Sequence, residues 1–357
     1  MCEKRKVRKV PVFLLLTVII LNFYSLTALY VIGGMKFFPK QAFYILCGFA
    51  FLFLLAQIDF RVFRFYAIPL YFSLLLTLVG VFLAGVAINS SKRWINIFGL
   101  FTVQPSELAK ISLIVVESWL YERRLSNFEK FLYSTLLLLP YAIIVFIQPD
   151  MGTSMIFISI YFLILLFSLP YKYTLSLVAV TLSTIPFLLK ILKPYQIERI
   201  LTFFDPYRDP LGSGYNVLQS IIAVGSGKFL GKGMSQSTMS KLNFVPVQYA
   251  DFIFSSISEI WGFLGVVIVL LSYGYLLYFI TETYNKTKNR FGKNILLGAF
   301  AMFFFQILIN VGMNMGIMPV TGVPLPFLSF GGSSMLTNFI VLGLVVSVHN
   351  FKDEINL

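Results

Sequence analysis

The chain consists of long apolar runs separated by short polar stretches. A helix needs about 17–25 predominantly apolar residues to cross a bilayer, and all the runs reach this length except the fourth, which is short. Ten such runs lie at 11–32, 39–57, 66–88, 105–120, 131–148, 152–169, 173–190, 253–280, 294–315 and 330–350. The pattern predicts an all-α polytopic membrane protein with ten transmembrane helices. An even number of spans would place both termini on the same side of the membrane.

Composition agrees with a membrane protein and narrows the chemistry. Hydrophobic residues make up 58% of the 357 residues and the mean hydropathy is +0.85, which leaves too little polar surface for a soluble globule. The only histidine, His349, favours neither a serine–histidine–aspartate triad nor a histidine-ligated zinc site. The two cysteines, Cys2 and Cys47, provide no disulfide framework. Acid–base chemistry is therefore assigned to carboxylates.

Lysine and arginine residues are distributed unevenly between the two sides of these spans. The side that carries both tails has 16 of them, and the short loops of the other side have four, Lys36, Lys40, Lys92 and Arg93. Positive charge accumulates in the cytoplasmic loops of membrane proteins. The pattern therefore predicts cytoplasmic termini. It also explains much of the net charge of +13 as an orientation signal, so no nucleic-acid partner is expected.

One long segment, at about 190–250, separates the seventh span from the eighth and is predicted to lie outside the cytoplasm. Its roughly 60 residues exceed an ordinary connection. Aromatic and aliphatic residues alternate there with glycine and proline turns, which indicates an ordered structure. Residues Tyr215 to Val224 are predicted to form a short amphipathic helix on the outer membrane surface. We expect a single integral membrane domain over 1–357.

Three carboxylates, Glu107, Asp251 and Glu259, lie in or beside apolar runs towards the outer side. A charge at the centre of a membrane helix costs about 2.5–3.5 kcal/mol, so each is a candidate for function. Asp251 stands at the start of the eighth span, where two roles are open. It can act as the N-cap of that helix, as a general base whose pKa rises beside aromatic rings, or as both. Glu259 is interpreted as structural.

Glu107 and Lys110 are three residues apart on one helix face, just after a helix start at Gln104-Pro105. Two interpretations stay open. The pair either neutralises itself so that a short span can insert, or the lysine binds an anionic group and the glutamate positions it. The glycine-rich run Gly225–Gly233 lacks the Walker spacing of a nucleotide loop. It is interpreted as a turn with two exposed lysines.

Five long stretches carry recognisable motifs in order along the chain. They are LFTVQPSELAKI (100–111), FIQPDMGTS (146–154), RILTFFDPYRDPLGSGYNVLQSIIAVGSG (199–227), DFIFSSISEIWGFLG (251–265) and PVTGVPLPFLSFGGSS (319–334). These stretches resemble the shape, elongation, division and sporulation family of bacterial membrane proteins, and the likeness covers essentially all ten spans. Within the family, Gly322–Pro326 is more similar to the rod-shape branch than to the division branch.

The resemblance implies an activity and a set of partners. It implies an inverting peptidoglycan glycosyltransferase that polymerises lipid II, an undecaprenyl-linked saccharide, outside the bacterial cytoplasmic (inner) membrane for cell elongation and rod shape. The implied partners are a class B penicillin-binding protein, which supplies the transpeptidase, and other membrane proteins of the elongation complex. Charge builds on the diphosphate leaving group, so cations are needed there, and a magnesium or manganese ion could share that task. No other cofactor is expected.

The resemblance also implies which residues form the site. The essential aspartate of the family falls on Asp251, the expected general base. The residues expected to bind substrate are Arg93, Trp94, Gln104, Glu107, Lys110, Arg199, Gln219 and Ser220. The chain departs from many relatives by having Val247 and Tyr249 in place of a glutamate and a histidine, and Thr102 in place of an arginine. Contacts to the diphosphate must then come from other cations.

Two functions of other classes would use the same residues. A transporter could move lipid-linked saccharide across the bilayer along the same polar path, and a scaffold could recruit a cell-wall enzyme through its loops. The sequence shows no internal repeat, which disfavours the transporter. Intramembrane acids without an evident partner disfavour a pure scaffold.

Overall fold

The computed structural model describes residues 8–84, 86–88, 91–97, 101–191, 194–241 and 247–352. Most of these residues are helical. The helices are α1 (Val12–Gly33), α2 (Phe38–Gln57), α3 (Phe63–Ala84), α4 (Pro105–Glu122), α5 (Asn127–Ile147), α6 (Met151–Ser168), α7 (Tyr171–Ile191), α8 (Pro194–Phe204), α9 (Tyr215–Ser226), α10 (Gly233–Gln236), α11 (Thr238–Lys241), α12 (Ile253–Lys286), α13 (Arg290–Asn314) and α14 (Gly332–Phe351). Three strands lie between α3 and α4, namely β1 (Val86–Ile88), β2 (Ser91–Ile97) and β3 (Phe101–Val103).

Among the described residues, eight helices are long and apolar enough to cross a membrane: α1, α2, α3, α5, α6, α12, α13 and α14. The predicted spans at 105–120 and 173–190 are also helices, α4 and α7. Helix α4 is less apolar because it carries Glu107, Lys110, Glu117 and Glu122. The expectation of a mostly helical, multi-pass architecture is confirmed, and the count of ten spans stays a prediction.

The expectation of an all-α fold is wrong in one place. The segment after α3 forms a three-stranded antiparallel sheet in the order β1-β2-β3, with Val86 opposite Trp94 and Ile95 opposite Val103. The predicted third span, 66–88, took in the first of these strands. Strands this short leave only a weak period-two signal, and the long apolar run before them conceals it.

Helix α4 lies at the centre of the bundle. It packs against α3, α5, α6, α13 and α14, and its buried residues include Glu107, Lys110, Ser112 and Glu117. These polar groups find partners inside the protein, since the Ser112 hydroxyl lies 2.7 Å from the Tyr141 hydroxyl and Ser134 donates to Glu117 at 2.6 Å. A helix surrounded by protein in this way can carry more charge than one that faces lipid.

The bundle has two distinct ends. At one end the backbone of Arg8 exchanges hydrogen bonds with the Gln57 side chain, and the Arg8 guanidinium lies 4.7 Å from the centre of the Phe351 ring. The first and last parts of the described chain therefore meet, and we call this the tail end. The other end carries the sheet, the segments α8 to α11, and the turn that precedes α12. We call it the site end.

The long segment between α7 and α12 is docked on α12 where that helix is interrupted. Gly262 has φ 64° and ψ −163°, and the Lys228 carbonyl accepts a hydrogen bond from Phe263 N at 2.9 Å just beyond it. A Cβ on Gly231 would lie 2.2 Å from the Ile260 carbonyl oxygen, so the two backbones touch only because glycine stands there. The helix predicted over Tyr215 to Val224 is confirmed as α9, but it packs against α12 and α13.

Candidate active site

Asp251 lies in the turn that precedes α12, just outside the span that begins at Ile253. The N-cap position of α12 is Phe252, and no side chain caps the helix there. Hydrogen bonds to Asp251 from described residues involve its backbone atoms. The interpretation of Asp251 as a helix cap is therefore wrong, because the chain turns once more before the helix starts. Its carboxylate is left available to a ligand.

The charge environment of Asp251 suits a proton acceptor. Desolvation by burial raises the pKa of its carboxyl to about 6. Arg199 lowers this pKa, Asp150 raises it and Arg93 lowers it, and all three effects are smaller than that of burial. A carboxyl with this pKa is mostly ionised at neutral pH and is a stronger base than an ordinary aspartate.

Two asparagines of α13 hold the backbone of the Asp251 turn. The side-chain amides of Asn310 and Asn314 donate to the Asp251 carbonyl oxygen at 2.9 and 3.1 Å. The Asn314 side-chain oxygen also accepts from Ser255 N at 3.1 Å. Sequence reasoning missed both residues. The available signal was a pair of amides four residues apart in an apolar run, since a buried amide in a membrane helix needs a partner.

The loop between α13 and α14 forms the other side of the turn. Ser329 donates to the Ala250 carbonyl oxygen at 2.6 Å, and Phe330 N donates to the Tyr249 carbonyl oxygen at 2.9 Å. Gly322 has φ +76°, and a Cβ at this position would lie 3.6 Å from an Asp251 carboxylate oxygen. Glycine at this position therefore keeps the space beside the carboxylate open.

Arg93 is held beside the turn by the start of α6. It donates through Nε to the Gln148 carbonyl oxygen at 2.6 Å and through Nη2 to the Pro149 carbonyl oxygen, and its Nη1 lies 3.7 Å from the Asp150 carboxylate. Gln104, the residue before α4, donates to the same carboxylate at 3.0 Å. Two candidate residues from different segments thus meet at Asp150. Asp150 is not among the acids that the sequence predicted to line a cavity.

Glu107 and Lys110 form an ion pair of 2.6 Å inside the bundle, and both side chains are almost completely buried. The pairing expected from their spacing is confirmed. The second carboxylate oxygen of Glu107 has no hydrogen-bond partner within the described residues. The burial of Lys110 leaves it without an open surface, which favours the interpretation of a self-neutralising pair.

The remaining candidates lie on two elements of the site end. Trp94 is partly buried in β2. Arg199 is exposed on α8, close enough to Asp251 to lower its pKa. Gln219 and Ser220 lie on α9, where Gln219 is partly buried and Ser220 is fully buried. The Ser220 hydroxyl donates to the Asn314 carbonyl oxygen at 2.9 Å, so Ser220 joins α9 to the helix that holds the Asp251 turn.

Donors from the long segment between α7 and α12 satisfy both oxygens of the Glu259 carboxylate. Its carboxylate accepts hydrogen bonds from Lys232 Nζ at 3.1 Å, Met239 N at 3.1 Å, and Ser240 N and Oγ at 2.9 and 2.7 Å. The structural role expected for Glu259 matches this arrangement. The expectation of two exposed lysines in the glycine-rich turn is wrong for Lys232, because that side chain turns inward to the Glu259 carboxylate.

The resemblance singled out Val247 and Tyr249, beside Asp251, as departures from the family's pattern. The Tyr249 ring stacks on Phe37, with ring centres 4.7 Å apart, and lies edge-on to Phe330. Val247 is exposed and has φ +54°. The turn is thus held by aromatic packing and by the Asn310 and Asn314 amides, with no acid or histidine at these two positions.

The fold is that of a multi-pass helical membrane protein with a carboxylate in the turn just before a long membrane helix, and comparison with known proteins defines the family. Residues 7–354 match the model of the FtsW, RodA and SpoVE family, described as cell cycle proteins. The chain belongs to this family, which is the shape, elongation, division and sporulation family indicated by its motifs.

Relatives and solved structures agree with this assignment. Peptidoglycan glycosyltransferase MrdB of Escherichia coli strain K12 is 33% identical over 85% of this chain and 83% of its own length. Peptidoglycan glycosyltransferase RodA of Treponema pallidum is 31% identical over 87% and 89%. A chain from a peptidoglycan synthase complex that coordinates polymerization and crosslinking has a TM-score of 0.84 at 30% identity, over 96% of this chain and 98% of that one. Rod shape determining protein RodA of Thermus thermophilus has a TM-score of 0.71 at 26% identity, over 96% and 97%.

Proposed function

We propose that this protein is a peptidoglycan glycosyltransferase that polymerises lipid II at the outer face of the bacterial cytoplasmic membrane. Asp251 takes the proton from the 4-hydroxyl of the acceptor sugar, and the oxygen attacks the anomeric carbon of the donor. The bond to the undecaprenyl diphosphate breaks, and that group leaves with the bonding electrons. A single displacement of this kind inverts the anomeric centre.

The observation that carries the proposal is the state of Asp251. Its backbone is fixed by α13 and by the loop after it, while its carboxylate has no hydrogen bond from the described residues. The pKa of about 6 keeps it ionised and basic at neutral pH. A general base needs this combination of a fixed position and a free proton-accepting oxygen, and it contributes about 10²–10⁴-fold to a rate.

Positive charge for the diphosphate comes from Arg199 and Arg93, the two arginines that influence the Asp251 carboxyl. Arg199 is exposed on α8 and can reach a ligand, whereas Arg93 is anchored at the start of α6. We assign Glu107 and Lys110 to holding the start of α4, because both are buried and paired. Stabilising charge as it develops on a leaving group is a large part of such catalysis.

A magnesium or manganese ion would add charge stabilisation at the diphosphate. The described residues contain no group of three histidine, cysteine or acidic side chains that could hold a metal. Asp150, the acid that influences Asp251, already accepts from Thr153 N at 3.1 Å and from Gln104 at 3.0 Å. The side chains assigned to the displacement are Asp251, Arg199 and Arg93.

The names of the relatives support a cellular role and a partner for this protein. Those named MrdB and RodA support a role in elongation and rod shape, and the solved synthase complex supports a transpeptidase partner of the penicillin-binding class. Other membrane proteins of an elongation complex are expected beside it. The arrangement of cations supports cytoplasmic termini, with the site end, including Asp251 and the long segment at about 190–250, facing outward.

The decisive experiment replaces Asp251 by asparagine. Asp251→Asn keeps the shape of the side chain and removes its basicity, so glycan polymerisation from lipid II should fall by about 10²-fold or more. The assay follows chain length with purified protein and its transpeptidase partner. Asp205→Asn, at an acid of the outer loop that caps a short helix, is the matched control and should leave the rate unchanged.

A folded Asp251→Asn variant that binds its partner and keeps more than about a tenth of the parent rate would show that Asp251 is not the base. Loss of activity in the control variant to the same extent would show that the assay reports loop integrity instead of proton transfer.

A further inference from the structure

An open groove of about 860 Å³ lies at the tail end of the bundle, between α3, α4 and α5. Its walls include Phe72 and Leu75 of α3, Trp119 of α4, and Tyr133, Leu136 and Pro140 of α5. Its mouth is formed by Arg123 and Arg124, where α4 ends. The groove is at the opposite end of the bundle from Asp251, so it is separate from the proposed polymerase site.

The groove has the depth and the surface of a lipid site. Phe72, Tyr133 and Leu136 are 55%, 44% and 53% exposed, as expected for apolar side chains of membrane helices that face lipid. On α5 the groove is lined from Tyr133 to Pro140, which is about 10 Å along the helix. One leaflet of the hydrocarbon core is about 15 Å deep. A hydrocarbon chain that enters at the arginines can therefore follow the whole groove.

The mouth of the groove carries two arginines whose charge is compensated only in part, since Arg123 lies within electrostatic range of Glu122. The Arg123 guanidinium lies 4.4 Å from the centre of the Trp119 ring. No ion pair joins Arg123 or Arg124 to an acid in the described part of the chain, since the neighbouring Glu122 pairs with Arg64. The other nearby acid, Glu129, accepts from Ser126 N at 2.7 Å at the start of α5. The guanidinium groups of Arg123 and Arg124 donate no hydrogen bond to a described residue, so their N–H groups can bind a phosphate.

We propose that this groove binds an anionic glycerophospholipid in the leaflet at the tail end of the bundle. Its phosphate lies between Arg123 and Arg124, and one acyl chain follows the groove between α3 and α5. Guanidinium groups bind phosphate through paired hydrogen bonds, and tryptophan favours the membrane–water boundary where Trp119 lies. The expected orientation of the protein assigns this leaflet to the cytoplasmic face.

The test measures lipid retained by the purified full-length protein. The protein is reconstituted in nanodiscs of phosphatidylcholine with one fifth phosphatidylglycerol, released gently, and examined by native mass spectrometry. Each arginine near an anionic lipid contributes about fivefold to binding. The double variant Arg123→Gln/Arg124→Gln should therefore retain phosphatidylglycerol about 30-fold more weakly. Phosphatidylcholine retention should not change.

The control is Lys172→Gln/Lys288→Gln, which removes two other exposed cations from the same predicted side. Lys172 lies over the Tyr173 ring at 5.2 Å, much as Arg123 lies over Trp119, but neither lysine lines the groove. This control should retain phosphatidylglycerol like the parent protein. Leu136→Trp, which fills the groove with an exposed ring and keeps both arginines, should lose the lipid as the arginine variant does.

Equal loss in the lysine control would overturn the proposal, because the effect would then be general surface charge. Unchanged retention in either groove variant would overturn it as well. If the arginine variant does not fold, Leu136→Trp alone still tests the proposal. Added undecaprenyl phosphate that displaces phosphatidylglycerol at equal concentration would overturn the assignment to a glycerophospholipid. Polymerase activity is not the readout, so these outcomes do not depend on the function proposed for Asp251.

Discussion

Asp251 and Glu259 lie eight residues apart at the start of the same helix region, yet their surroundings are opposite. Glu259 receives hydrogen bonds from Lys232, Met239 and Ser240, and its side chain is fully buried. The Asp251 carboxylate has no hydrogen bond from the described residues, while its backbone is fixed by neighbouring helices. The difference shows that a position near the start of this helix does not decide whether the protein satisfies a carboxylate. A carboxylate available for chemistry has a fixed backbone and a side chain without protein donors.

The largest expected effect on stability comes from Glu259→Ala. It leaves Lys232 and two loop amides without their acceptor, so it should lower the free energy of unfolding by about 3 kcal/mol. This is the low end for a buried pair, because the Lys232 side chain is 30% exposed. Thermal unfolding of the purified protein measures it. Glu198→Ala, at an exposed acid of the same long segment, should change stability by less than about 0.5 kcal/mol.

The pH dependence should separate activity from stability at Asp251. Below pH 6 the polymerisation rate should fall about tenfold per pH unit, because the base becomes protonated. The pKa of the Asp251 carboxyl is about 6 in the folded protein and 3.8 ordinarily, so the folded state binds the proton more tightly. Protonation of this group therefore raises the free energy of unfolding as the pH falls from 6 towards 4. Asp251→Asn should remove this pH-dependent part of the free energy of unfolding. A rate that stays constant between pH 7 and pH 5 would contradict the proposed base.

A smaller effect is expected from Asn314→Leu, which tests how the turn is fixed. The variant removes the donor to the Asp251 carbonyl and the acceptor of Ser255 N, at a cost of about 1–3 kcal/mol in stability. Displacement of Asp251 should lower the rate per folded molecule. Asn22→Leu is the control, because Asn22 is also buried but donates only within its own helix, to the Val18 carbonyl oxygen. A similar loss of rate in both variants would show that the Asn314 contact is not specific.

The smallest expected effect is that of Gly322→Ala. Alanine at φ +76° is strained by about 1–2 kcal/mol, and its methyl group would contact the Asp251 carboxylate. We expect a several-fold decrease in polymerisation with a small decrease in the unfolding midpoint. Gly80→Ala in α3, where no atom lies within 4 Å of the added carbon, should keep full activity. A Gly322→Ala protein with the parent rate would show that the space beside the carboxylate is not used by substrate.

The sequence by itself determined the features that depend on local periodicity. The length of the apolar runs predicted the membrane helices, Pro105 marked the start of α4, and a spacing of three residues predicted the contact between Glu107 and Lys110. The motif position of Asp251 singled out the candidate base. Neighbours along a helix are fixed by its geometry, so such contacts can be inferred without a tertiary structure.

The tertiary structure decided which acids remain available. Gln104 reaches Asp150 across 46 positions of sequence, Asn314 reaches Asp251 across 63, and Lys232 reaches Glu259 across 27. None of these pairs shares a helix, so no periodicity links them. They meet because helices and loops pack in one particular arrangement, and that packing satisfies Glu259 and leaves the carboxylate of Asp251 open.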